Sequence, residues 1–65
     1  MTKNFDTELG VITVSNAMFG DKNGVDLFEG IELKDEDGNL VEIEGYRDID
    51  EMTEDEVLGL FSNYF

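Results

Sequence analysis

Carboxylates are the chemically active side chains that this chain has in quantity. Of its 65 residues, 17 are Asp or Glu and four are Lys or Arg, and it contains neither His nor Cys. Without His or Cys, the usual Ser-His-Asp and Cys-His sets of nucleophilic catalysis and the usual zinc sites cannot form. The carboxylates leave three possibilities: calcium binding, acid–base catalysis, or electrostatic contact with a positively charged partner.

Calcium binding would centre on an acidic turn in the middle of the chain. An EF-hand loop needs oxygen ligands at positions 1, 3 and 5, glycine at position 6 and Glu at position 12. Asp35, Asp37 and Asn39 match the first three positions, but Leu40 and Tyr46 occupy positions 6 and 12. We therefore predict no dedicated metal site and no cofactor.

Acid–base catalysis would need two carboxylates in a pocket that buries a substrate, one of them with a raised pKa. A chain of 65 residues whose acids fall mostly on solvated faces offers little room for such a pocket. We predict that the protein is not an enzyme.

The formal net charge of −13 favours the third possibility. A small domain needs a net charge of only about 2 to 8 for solubility, and a larger excess destabilises the folded state by repulsion. The excess predicts a basic partner protein and opposes direct binding to nucleic acid or to anionic lipid. No apolar stretch reaches the roughly 18 to 20 residues of a membrane span, and the chain begins without a signal-peptide pattern, so we expect a cytoplasmic protein.

The elements that must position these acids form one α+β mini-domain over residues 1–65, with a small antiparallel sheet of three or four strands and one C-terminal helix. Seven aromatic residues, the absence of proline and patterned apolar runs favour order over disorder. Residues 1–8 show no period and are expected to be a loose arm. Residues 9–15 are rich in β-branched side chains and predict a strand, and Asn23-Gly24 predicts a hairpin turn.

A second hairpin is predicted between Leu27 and Tyr46, and two registers are possible. A two-residue turn at Asp37-Gly38 would set a core leucine opposite a glutamate. A three-residue loop over residues 36–38 sets Leu33 opposite Val41 and gives Gly38 the left-handed conformation that such loops use. We choose the second register because it gathers the apolar residues on one face.

The opposite face of this hairpin carries the unexpected residues. In the chosen register Glu32 lies directly opposite Glu42, and Glu44 follows on the same side. Like charges that lie directly opposite each other destabilise a sheet, so this pair does not contribute to the stability of the fold. Phe28 and Tyr46 also face each other there, either as a stabilising cross-strand pair or as an apolar anchor for a partner.

The C-terminal helix is predicted from a capping box. Thr53 is the N-cap and Glu56 the N3 residue, and Met52 and Val57 occupy the staple positions. The helix should run over about residues 54–62. Acids in its first turn favour the helix dipole and need no partner, whereas the acidic run over residues 48–51 has no such explanation.

The candidate partner-binding residues follow from these elements. The acidic face comprises Glu32, Glu42, Glu44, Asp48, Asp50 and Glu51, and the apolar anchor comprises Phe28 and Tyr46. Alternate residues of a strand are about 6.7 Å apart, and phosphates of one DNA strand advance by about 3.4 Å. Rows of carboxylates therefore approach the charge density that a nucleic-acid-binding protein is built to receive.

In size, charge and layout the chain resembles small acidic phage proteins that inhibit host nucleic-acid enzymes by mimicking DNA. An acidic hairpin followed by an acidic helix start carries the likeness over most of the chain. Of the two groups concerned, anti-CRISPR proteins are preferred to uracil-DNA glycosylase inhibitors, because the former are more varied in sequence and fold. The Glu-Ser-Ile motif of one glycosylase inhibitor family is absent.

The expected function is therefore that of a non-enzymatic inhibitor whose acidic face fills the DNA- or RNA-binding cleft of a host defence or repair enzyme, in the host cytoplasm if the chain is phage-encoded. The alternative is a small adaptor or regulatory protein that docks through its aromatic residues, Phe28, Tyr46, Phe61, Tyr64 and Phe65, together with Leu60. So small a core also makes a homodimer possible.

Overall fold

A four-stranded antiparallel sheet and a C-terminal helix form the fold, which confirms the predicted α+β class. The computed structural model describes residues 1–20, 27–45 and 47–64. The strands are β1 (Thr2–Thr7), β2 (Gly10–Phe19), β3 (Phe28–Lys34) and β4 (Leu40–Glu44), in the order β1-β2-β3-β4, followed by a 3-10 turn (Ile49–Glu51) and helix α1 (Glu54–Tyr64). Each strand therefore pairs with its neighbour in sequence.

The β3–β4 hairpin has the predicted register. Leu33 pairs with Val41 and Ile31 with Ile43. Gly38 has φ of +90°, and its N–H donates to the Asp35 carbonyl oxygen at 3.3 Å. The predicted three-residue loop and its left-handed glycine are confirmed.

The Asp35 side chain organises that loop. One carboxylate oxygen accepts from the Asp37 N–H at 3.0 Å and from the Asn39 N–H at 2.8 Å, and the other accepts from the Asn39 amide at 2.9 Å. The Asn39 side-chain hydrogen bond has the largest effect on the pKa of Asp35. Burial opposes it, but this hydrogen bond and the backbone N–H groups of Asn39, Asp37 and Gly38 together hold the pKa below its ordinary value.

The prediction of a loose arm over residues 1–8 is wrong, because Thr2–Thr7 forms the edge strand β1. Phe5 pairs with Ile12 and is only 6% exposed. On the other face Thr13 Oγ1 donates to Asn4 Oδ1 at 2.9 Å. One core aromatic residue and polar pairs with β2 stabilise this strand. Its sequence therefore lacks the alternation of apolar residues from which a strand can be predicted.

Strand β2 runs four residues further than the predicted strand over residues 9–15, as far as Phe19. Its last residues pair with β3, Met18 with Glu29 and Phe19 with Phe28. The predicted turn at Asn23-Gly24 lies outside the described residues.

The helix begins as predicted. Thr53 Oγ1 accepts from the Glu56 N–H at 3.1 Å, and the Thr53 carbonyl accepts the first helical hydrogen bond, from Val57, at 3.0 Å. Met52, Val57 and Phe61 are buried. The helix ends two residues later than predicted, and its last residue, Tyr64, is exposed. Phe65 lies outside the described residues.

The core fills the space between one face of the sheet, here called the inner face, and the layer formed by α1 and the 3-10 turn, which lies nearest β1. Its buried members are Phe5, Ile12, Val14, Ile31, Leu33, Val41, Ile43, Ile49, Met52, Val57 and Phe61. No helix in the described ranges has the length and apolar character needed to cross a membrane.

Replacing Phe5 tests whether β1 belongs to the fold. Phe5→Ala should cost about 3–5 kcal/mol, which matches the whole stability of about 3–5 kcal/mol expected from one small core. Far-UV circular dichroism should therefore show a largely unfolded variant. Asp6→Asn, an exposed neighbour, is the control and should fold normally. Equal stability of both variants would mean that residues 1–8 contribute nothing.

The lowered pKa of Asp35 predicts a pH-dependent contribution to stability. The folded state favours the carboxylate, so its contribution is present above the unfolded pKa and is lost as pH falls through the folded value. The difference in unfolding free energy between the wild type and Asp35→Ala should shrink with acidification. Asp37→Ala makes the same charge change in the same loop, and its effect on the unfolding free energy should be small at every pH.

Candidate acidic interface

The face of the sheet opposite the helix, here called the outer face, is formed by alternate residues of all four strands, most of them polar. Thr2, Ser15, Glu32 and Glu42 form one row across the strands. The hydroxyls of Thr2 and Ser15 are hydrogen-bonded at 3.2 Å. The core and its helix lie on the other side, so this row faces solvent.

The two glutamates at the end of that row are directly opposed, as predicted. Glu32 is half-buried and Glu42 is exposed. Directly opposed residues in antiparallel strands have Cβ atoms about 4.5–5.5 Å apart, so the like charges are held close. Glu44 lies two residues further along and pairs with Gly30, which has no side chain. Three carboxylates therefore lie together on the outer face.

These carboxylates share the outer face with one described cation, Lys34, which lies two residues beyond Glu32 and forms no ion pair with them. No ion pair joins two of the residues that the structure describes. The Lys3 ammonium instead lies over the Phe5 ring, 5.1 Å from its centroid. Arg47 is half-buried, and its Nε is buried without a hydrogen-bond partner. None of the described cations forms an ion pair with the outer-face carboxylates.

The other predicted acids lie in the opposite layer. Ile49 enters the core, and Asp50 and Glu51 beside it are exposed on the helix side of the sheet. The Asp48 carboxylate accepts from the Asp50 N–H at 3.1 Å and caps the 3-10 turn, so it has a structural role. The six candidate residues thus form two groups, one in each layer.

One residue of the predicted apolar anchor, Phe28, contacts a ring that the prediction did not include. The Phe28 ring packs against Phe19, with ring centroids 5.9 Å apart, and is 39% exposed. A Cβ atom on Gly30 would collide with the Phe19 ring and the Ile43 carbonyl oxygen, so glycine is what lets that ring lie across β3. Tyr46 lies outside the described residues.

The Phe19–Phe28 pair could have been found from the sequence. A two-residue turn at Asn23-Gly24 sets residue 19 opposite residue 28 by counting alone.

The structure also contains a small open pocket that the sequence did not predict. It has a volume of about 250 Å³ and is lined by Asn16, Ala17, Met18, Glu29 and Gly30. The acidic residue of this pocket, Glu29, could have been predicted. Side chains alternate between the two faces of a strand, and Glu29 lies two residues before the core residue Ile31, so it belongs to the inner face of β3. Within residues 1–20, 27–45 and 47–64, no three acidic side chains converge into a set that could hold a metal ion.

The opposed pair can be tested by two matched substitutions. Glu42→Lys replaces repulsion of Glu32 by attraction and should raise the unfolding free energy by about 1 kcal/mol. Glu44→Lys makes the same charge change opposite a glycine and should gain less. Urea unfolding at low and high salt measures both, and the difference should shrink with salt. Equal gains would show that only net charge matters.

Comparison of the chain with protein families, with curated proteins and with solved structures finds no match. Its function must be inferred from its own charge and geometry.

Proposed function

We propose that this protein is a non-enzymatic inhibitor that imitates nucleic acid and occupies the basic binding cleft of another protein. The observation that carries the proposal is the solvent-facing cluster of Glu32, Glu42 and Glu44, which the strand register holds together and which no described cation pairs with. A defence or repair enzyme of the host is the proposed target, with an anti-CRISPR role preferred and the host cytoplasm as its place of action.

The charge density supports this proposal. The longest dimension of the Cα trace is 38 Å, close to the roughly 34–36 Å of one turn of B-DNA. At about 3.4 Å per phosphate, one nucleic-acid strand of that length carries about 11 charges. The net charge of the chain is −13. The whole molecule therefore carries a charge comparable to that of such a strand, although the acids that supply it are divided between two layers.

Structural roles explain several of the other acids and narrow the proposal. Asp35 organises a loop, Asp48 caps the 3-10 turn, and the acids at the start of α1 favour its dipole. The outer-face glutamates have no such role. The contact with the target is therefore proposed to centre on the outer face, with Asp50 and Glu51 in a secondary position.

The aromatic adaptor alternative is less well supported. Phe61, one of its proposed docking residues, is 2% exposed and belongs to the core. Phe28 is partly covered by Phe19. A docking surface built on these rings would lack Phe61, and of the other described rings only Tyr64 is largely exposed.

Competition by nucleic acid tests the proposal. The protein, immobilised, should retain basic nucleic-acid-binding proteins from a host lysate, and added DNA or RNA should elute them. A purified retained protein should lose its nucleic-acid binding in a gel-shift assay when the inhibitor is present. Binding should weaken steeply with salt, because it depends on charges at the surface.

Two double variants with the same charge change locate the contact. Glu42→Lys with Glu44→Lys should abolish inhibition while the circular dichroism spectrum stays folded. Asp50→Lys with Glu51→Lys should weaken inhibition less. Full inhibition by the outer-face variant, or retained proteins that nucleic acid does not displace, would refute the proposal.

A further inference from the structure

The β2–β3 hairpin projects beyond its neighbours at one end of the sheet. The ladder of β1 ends where Thr2 pairs with Ser15, followed by one hydrogen bond from the Asn16 N–H to the Met1 carbonyl at 3.2 Å. Strands β2 and β3 continue as a ribbon to Phe19 and Phe28. The inner face is exposed along this ribbon.

The side chains on that exposed inner face are not those of a core. Asn16, Met18 and Glu29 occupy it, and all three are exposed, Met18 by 59%. Continuing the pattern of Ile31 towards the tip would place a branched apolar residue at position 29. A lone carboxylate at an inner-face position contributes nothing to packing.

These residues line the open pocket of about 250 Å³, which we call the tip pocket. Sites for small-molecule ligands usually measure about 300–1,000 Å³, so the tip pocket is too small for most of them. Its size suits one long side chain.

The chemistry of the tip pocket is that of a receptor for a long cation. Met18 lies directly opposite Glu29, so an apolar thioether and a carboxylate stand side by side. On the β4 side, the Gly45 N–H donates to the Glu29 carbonyl at 2.9 Å, and the Cβ position of Gly45 is open space. The Glu29 carboxylate has no hydrogen bond or ion pair to another described residue.

We infer that the tip pocket receives an arginine side chain of a basic partner protein. The arginine stem would pack on Met18, whose flexible, polarisable side chain adapts to its guest. The planar guanidinium would pair with the Glu29 carboxylate in a bidentate manner, and the Asn16 amide oxygen would accept a further N–H. Lysine offers no such planar fork. The inference rests on the proposed function only in taking the partner to be basic.

An NMR titration tests the tip pocket without the partner. The probe is a blocked Gly-Arg-Gly peptide, and the matched neutral probe is Gly-citrulline-Gly. The arginine peptide should shift the backbone amide signals of Ala17, Met18 and Gly30, whereas the citrulline peptide should not. Gly-Lys-Gly should bind more weakly than the arginine peptide.

Two variants with equal charge change give the control. Glu29→Gln should weaken binding of the arginine peptide by about tenfold, the loss expected for one charge-assisted hydrogen bond. Glu8→Gln, in the turn at the opposite end of β2, should leave the affinity almost unchanged. Met18→Ser should weaken binding without any change of charge. Each variant should keep the amide spectrum of a folded protein elsewhere.

Three results would overturn the inference: shifts spread over all the acidic surfaces, equal losses in Glu29→Gln and Glu8→Gln, or lysine binding as tight as arginine binding. These results are independent of the nucleic-acid competition experiment. A failed titration leaves the outer-face result standing, and a failed competition leaves the tip pocket as an arginine site for a different class of basic partner.

Discussion

The pairing of β3 with β4 is the constraint on which the rest of the structure depends. A slip of one residue would move every apolar side chain of one strand to the solvent. The loop closed by Asp35 and the left-handed Gly38 prevents that slip and keeps Leu33 opposite Val41. The same register places Glu32 against Glu42. Core formation and the opposition of positions 32 and 42 are thus two results of one backbone arrangement.

That arrangement also explains the division between the two layers. The apolar residues of four strands meet on the inner face, where Ile49, Met52, Val57 and Phe61 complete the core. The outer face receives no such cover and is polar throughout its central row. The acids that follow β4 then fall on the helix side, because Ile49 must reach the core. The acids of residues 42–51, which are close in sequence, are consequently divided between the two layers.

A feature of the fold could be predicted from the sequence when the residues that determine it lie close together in the chain. The register of the second hairpin and the helix start follow from residues within a few positions of each other, and both are confirmed. Strand β1 has one core residue, Phe5, and forms because it pairs with β2. It could not be predicted from a short segment of the sequence. The capping role of Asp48 depends on the backbone that follows it. The contact of Phe19 with Phe28 follows from the register of the β2–β3 pairing alone.

Under the proposed function, the opposed glutamates would couple the stability of this protein to its state of binding. A ligand that binds only the folded state stabilises it by mass action. A partner that supplies positive charge to Glu32 and Glu42 would in addition remove a repulsion that the free molecule bears. The free chain, with its small core, opens more often and is the better substrate for proteases. Excess unbound molecules would then be cleared while engaged ones persist, so that the amount of the protein follows the amount of its target.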